Sequence, residues 1–234
     1  MKWALMLLAL LAVLALLIFI NSARMAVALC SLSDRPKYTK YSWKSMEDYC
    51  RKHDYDFVTE KSSLDTDRHT AWSKILLMDQ TFDKGYDVVI WIDDDIMITE
   101  PDVPVSDVFK EFFNSDAKIA VARDAHGELA NTGIICVKRE GRGLLRKIYD
   151  DGITKENRWD QLWDQTAFNT MYESMKSDVY LYPPSTIQGF YRNHKDPDEF
   201  KWREGTWAAH MAGCDEKERI ERMETLASRP ATSG

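Results

Sequence analysis

From residue 25 onward, short apolar runs rich in β-branched residues alternate with stretches in which apolar residues recur every three or four positions. Runs of the first kind read as strands and stretches of the second kind as amphipathic helices. Strands are predicted at "MAVALCSL" (25–32), "YDFVT" (55–59), "DVVIWI" (87–92), "AKIAVAR" (117–123), "TGIICVK" (132–138) and "DVYLYPP" (178–184). Helices are predicted at "YTKYSWKSMEDYCRKH" (38–53), "HTAWSKILLMDQTF" (69–82), "VSDVFKEFF" (105–113), "GLLRKIY" (143–149), "DQTAFNTMYESM" (164–175) and "DEKERIERMETLA" (215–227). Past Pro184 the pattern turns irregular, so Trp202, Trp207 and His210 are expected in loops. Such alternation predicts an α/β fold, a sheet covered by helices.

Before the alternation begins, Trp3 to Ile20 is a run of 18 apolar residues, with no charge between Lys2 and Arg24. That length just spans a bilayer as a helix. A cleaved signal peptide is the competing reading, but its apolar region is usually shorter, and cutting at "AVA" (26–28) would break the first strand. The expected organisation is a transmembrane signal anchor at 1–24, a single domain at 25–229 and a tail at 230–234. The simplest topology is single-pass type II, Golgi- or ER-like, with the domain luminal.

A content of 44% apolar and 12% aromatic residues is ample for a packed core. The net charge of -7 argues against nucleic acid as a partner, since that needs clustered basic residues. Cys30, Cys50, Cys136 and Cys214 show no metal-ligand spacing. Cys30 and Cys136 read as buried thiols in strands, and a bridge through Cys50 or Cys214 stays open.

One stretch conflicts with stability. In "DVVIWIDDDIMITEPD" (87–102) three carboxylates, Asp93, Asp94 and Asp95, crowd against an apolar run. Adjacent like charges repel, and desolvating them is costly. A bound cation removes the conflict; a solvated acidic turn is the plainer reading. Ligands of open α/β sheets sit outside the carboxyl ends of strands, where these aspartates emerge. Strand alternation puts Asp93 and Asp95 on one side and turns Asp94 away. Hard oxygen ligands suit Mg²⁺ or Mn²⁺, which keep positions open for substrate phosphates.

Here the sequence resembles the GT-A glycosyltransferases, and among them the family of fungal α-galactosyltransferases and plant xyloglucan xylosyltransferases. "WIDDDIMI" resembles the family's "WxDxD" strand, a DXD motif. "DYCRKHDYDFV", "HTAWSKILLM", "NTGIICVKR", "WDQTAF" and "WAAHMAGC" match further family segments in order, over about residues 25 to 215. Asp54 stands where the family usually has Gly, and the two "DQ" pairs of "WDQLWDQTAF" leave two registers for that motif. The resemblance implies a GT-A, Rossmann-like mixed sheet flanked by helices. It implies Mn²⁺ or Mg²⁺, a nucleotide-sugar donor, first among them a UDP-sugar, and transfer of a hexose or pentose to a glycan or glycoprotein with retention. It also assigns roles: Asp93, Asp95 and His210 as metal ligands; Lys74, Asp93, Asn131, Thr132, Gly133 and Gly213 at the donor; Asp164 and Gln165 beside the anomeric carbon.

Each residue has a plainer reading beside this one. An imidazole can complete an Mn²⁺ shell, but a lone histidine such as His210 is more often a surface or core residue. Lys74 is either a solvated helical charge, a phosphate contact or a support for the Asp-x-Asp strand. Asn131, Thr132 and Gly133 form a turn before a strand, or meet the donor sugar. Gly213 lets the backbone approach the diphosphate. Asp164 can simply favour a helix N-terminus. An inverting enzyme would instead draft Asp164 or Asp124 as base. Trp159, Trp163, Phe190, Tyr191, Trp202 and Trp207 are core or lid residues, or line an acceptor groove. Two other functions compete. A haloacid dehalogenase-type phosphatase also uses a strand-end Asp-x-Asp, but Ile96 and Met97 stand where it needs Gly-Thr. A catalytically inactive sugar-binding module is the other.

Overall fold

The structure, a computed structural model, describes residues 25–125, 129–152, 162–192 and 195–229. The anchor expected at 1–24, the tail at 230–234 and Trp159 lie outside the described residues. Among those described, no helix is long and apolar enough to cross a membrane.

In chain order the elements are β1 (Val27–Leu32), α1 (Pro36–His53), β2 (Asp56–Glu60), α2 (Ser73–Phe82), β3 (Val88–Ile92), β4 (Ile96–Ile98), α3 (Val105–Val108), α4 (Lys110–Phe113), β5 (Ile119–Arg123), β6 (Ala130–Lys138), α5 (Arg142–Asp151), α6 (Asp164–Met175), β7 (Val179–Tyr182), β8 (Gly189–Phe190), β9 (Ala208–His210) and α7 (Glu216–Ala227). Six strands form one mixed sheet in the order β2-β1-β3-β6-β5-β7. β1 runs parallel to β2 and β3, β6 is antiparallel to β3 and β5, and β7 is parallel to β5. The predicted α/β sheet is therefore present, covered on both faces. Alternation along β3 divides the core: Val88, Ile90 and Ile92 pack with Met46 and Tyr49 of α1, Phe109 and Trp207. Val89 and Trp91 pack on the other face with Trp72, Met78 of α2, Leu145 of α5 and Phe168 of α6.

The region past Pro184 differs from expectation. β4, β9 and β8 form a second, three-stranded sheet, in which Ile96 pairs with His210. Strands of two and three residues are too short to repeat the alternation, so no periodicity marks them. The predicted helix at 105–113 is broken at Phe109 into α3 and α4. Asn131, Thr132 and Gly133 are not a turn before a strand; they lie inside β6, Asn131 beside a bulge and Thr132 and Gly133 within it. All four cysteines are buried and unbridged.

Candidate active site

β1 and β3 run parallel, so their carboxyl ends deliver Ser33, Asp34 and Arg35 beside Asp93, Asp94 and Asp95. Both sets line a cleft of about 450 Å³. The second sheet supplies the opposite wall, with Phe190, His210 and, in a left-handed turn at φ 72°, Gly213. Lys74, Asp124, Asn131, Thr132, Gly133, Asp164 and Gln165 complete it.

The three aspartates part company. One ligand atom each from Asp93, Asp95 and His210 lie within 4.8 Å of one another. His210 Nε2 is 3.3 Å from Asp95 Oδ1, and Arg219 Nη2 is 3.2 Å from Asp95 Oδ2. Asp94 stands outside this group and accepts hydrogen bonds from the Ser33 hydroxyl and, at 3.1 Å, from the Tyr38 hydroxyl. Burial, and then the neighbouring Asp95 charge, push Asp94 up to about 6, against the pull of Ser33. Burial would also raise Asp95, but His210 and Arg219 reverse this and hold it down to about 2.

Lys74 is buried, and its ammonium reaches three acceptors: the Thr132 carbonyl at 3.1 Å, Asp93 Oδ1 at 3.2 Å and Asp164 Oδ2 at 3.0 Å. An ammonium has three protons, so these contacts use them all. Of the roles weighed for Lys74, this geometry fits support of the Asp-x-Asp strand. Burial alone would lower its pKa; Asp164 and Asp93 outweigh burial and hold it above the ordinary lysine value.

The bulge explains why such a hub exists. Val121 pairs with Ile135, but Ala122 pairs with Asn131, so Thr132, Gly133 and Ile134 have no partners on β5. Backbone groups freed from a buried ladder need other partners. The Thr132 carbonyl takes Lys74, and the Thr132 amide donates to Gln165 Oε1 at 3.2 Å. The Gly133 amide donates to Asn131 Oδ1 at 2.9 Å, and its carbonyl accepts from the Asp93 amide at 2.8 Å. Asn131 Oδ1 also accepts from Gln188 Nε2, and Asp124 Oδ2 accepts from both Asn131 and Gln165. Asp164 accepts from the Thr132 hydroxyl at 2.8 Å rather than capping its helix. Asn131, Asp164 and Gln165 thus face the cleft from a connected hydrogen-bond frame.

The aromatic residues divide. Trp163 lines the cleft, stacked on His69 with ring centroids 3.7 Å apart, and Phe190 lines the other wall. Trp207 belongs to the core, while Tyr191 and Trp202 pack edge-to-face under α7. Ser33, Tyr38 and Arg219 were not singled out from sequence. The strand-end rule that found Asp93 would also have found Ser33; the two others carry no sequence signal.

The residues present fit a divalent cation. Two hard carboxylates and one borderline imidazole are a donor set that a divalent ion such as Mn²⁺ can take, and His210 Nδ1 is buried with no hydrogen-bond partner. At Gly133 a Cβ would come within 2.6 Å of His210 Cε1, so glycine makes room for the imidazole.

The sequence model of the galactosyl transferase GMA12/MNN10 family matches residues 15–117. That segment includes Lys74 and Asp93 to Asp95 and ends before β5. No curated protein sequence matches the chain. Among solved structures, a glycosyltransferase involved in glycosylation of the major capsid of PBCV-1 superposes with a TM-score of 0.71 at 19% identity, covering 86% of this chain and 99% of that one. The glycosyltransferase GlyE of Streptococcus pneumoniae gives 0.57 at 12% identity, over 88% of this chain and 62% of that one. Mouse xyloside xylosyltransferase 1 gives 0.53 at 11% identity, over 81% and 98%. The family match over residues 15–117 bears out the resemblance read from the sequence, and the solved structures share the fold.

Proposed function

We propose, from the GT-A glycosyltransferase resemblance and the shared fold, that the chain transfers a hexose or pentose from a nucleotide-diphosphate sugar, a UDP-sugar first, to a glycan or glycoprotein. The observation that carries this reading is the convergence of Asp93, Asp95 and His210 at the strand ends of a cleft. These three residues would hold Mn²⁺ or Mg²⁺, which when bound stabilises negative charge on the leaving diphosphate. In the transfer, the bond from C1 of the sugar to the phosphate oxygen breaks and its electron pair leaves with the nucleoside diphosphate. The acceptor oxygen bonds to C1, and its proton goes to the departing phosphate, in the retaining course the family implies. Asp164 and Gln165 stabilise positive charge developing on the sugar. Lys74 and the bulge keep both in place, while Asn131, Thr132, Gly133 and Gly213 border the donor. The catalytic domain is luminal, held by the anchor at 1–24; Val27 and Ala28 are buried in an interior strand, which argues against a cut at 26–28.

The test is donor turnover. Detergent-solubilised full chain is incubated with a panel of nucleotide sugars and Mn²⁺, and UDP release is measured with and without chelator. Release from one donor, abolished by chelator and restored by Mn²⁺, is expected, with Asp95→Asn at least about a hundredfold slower. Release of inorganic phosphate without UDP would mean a phosphatase. Donor binding without turnover would mean an inactive module.

A further inference from the structure

We infer that Arg219, on the C-terminal helix, is a positioning residue for the cation site: it holds the outer oxygen of Asp95 so that the inner one faces His210. The inference rests on the metal reading above.

Asp95 is gripped from two sides, His210 at Oδ1 and Arg219 at Oδ2. The first contact comes from the second sheet and the second from α7, an element that lines none of the cleft. Arg219 is only 11% exposed, and its Nε is buried without a hydrogen-bond partner. An arginine whose only task was to dock a helix would keep its donors in water, because burying one unpaired is costly. Instead the guanidinium lies 5.0 Å above the Tyr38 ring, and the Tyr38 hydroxyl bonds Asp94. One packed pair, Arg219 on Tyr38, therefore holds two adjacent aspartates, each by a different member of the pair. The helix is capped one turn before Arg219: Asp215 Oδ1 accepts from the Glu218 amide at 2.8 Å, and the Arg219 amide donates to the Asp215 carbonyl at 2.9 Å. Three residues further along, Arg222 pairs with Glu218 at 3.0 Å and has no contact with the aspartates among those described.

Two effects of Arg219 oppose each other. A guanidinium beside a cation site repels the cation, so removing it should tighten binding. Loss of a partner that orients a ligand weakens binding, typically tenfold or more. The sign of the change decides between them. Mn²⁺ is titrated into detergent-solubilised full chain at saturating UDP, and free Mn²⁺ is read by electron paramagnetic resonance. Arg219→Met, which keeps the apolar stem over Tyr38, is expected to weaken Mn²⁺ binding about tenfold, with Arg219→Lys intermediate. At saturating Mn²⁺ the turnover of Arg219→Met should return to within about threefold of the unmodified chain, since the residue does not touch the substrate. Arg222→Met should bind Mn²⁺ normally. Equal or tighter binding by Arg219→Met overturns the inference, as does equal weakening in Arg222→Met, which would indicate helix docking alone. Absence of Mn²⁺ binding by the unmodified chain overturns the metal reading and this inference together.

Discussion

A methyl group at position 133 would stand 2.6 Å from His210 Cε1, 3.1 Å from His210 Nδ1 and 2.9 Å from Asn131 Oδ1. The imidazole cannot retreat far, because it is buried against Phe190, 5.6 Å away between ring centroids. Gly133→Ala is therefore expected to lose about 1–3 kcal/mol of stability through overpacking. It should also raise the Mn²⁺ needed for half-maximal activity roughly tenfold, by moving a ligand. Thermal melts and metal titration check both; an unchanged metal requirement would detach Gly133 from the site. At this scale the sequence was uneven. Asp93 and Asp95 were legible because a carboxylate pair at the end of an apolar strand has few structural reasons to exist. His210 was legible only through the motif around it. Arg219 was not legible at all, since in "DEKERIERMETLA" it looks like any solvated charge on a polar helix face. Asp54 shows the converse: where the family usually has Gly, this chain puts an aspartate at φ 57°, the left-handed end of α1. The position is a left-handed one that glycine adopts freely and Asp meets at some strain.

Among elements, α2 and α5 are joined across the surface by Asp79, which accepts from Arg142 Nε at 2.6 Å and from Arg146 Nε at 2.7 Å. Burial would raise the Asp79 pKa, but the two guanidiniums outweigh it and hold it below the usual carboxylate range. A carboxylate with a depressed folded-state pKa stabilises the fold above its unfolded value, near 3.9, and loses that contribution as pH falls through the folded value. Asp79→Asn should therefore cost on the order of 1 kcal/mol at pH 7, a modest figure because Arg146 is 59% exposed. The difference from the unmodified chain should shrink below about pH 4. Urea midpoints at pH 7 and pH 3 give the comparison; a constant gap would show that the loss does not come from the Asp79 charge. Most elements long enough to repeat a pattern were read from it, the helix at 105–113, broken at Phe109, being the exception. β4, β8 and β9 were missed, and so was the bulge in β6, because both depend on partners distant in sequence.

On the scale of the whole molecule, the apolar segment from Trp3 to Ile20 leads almost directly into β1, a strand flanked on both sides. Mass analysis of membrane-extracted protein is expected to find residues 3–20 retained; a mature chain beginning near Arg24 would reverse the anchor reading. The bulge in β6 has a consequence for the route by which the chain folds. Its freed carbonyl is taken by Lys74, 58 residues earlier, and its freed amide by Gln165, 33 residues later. Neither partner is present in a hairpin of β5 and β6 alone, so that hairpin gains little from adopting the native register by itself. The loops between the partners must close before the bulge is rewarded. The cleft is accordingly expected to assemble late, when α2 and α6 dock on the two sides of one residue, Thr132, of an irregular strand. A chain still waiting for either helix has no functional site to offer.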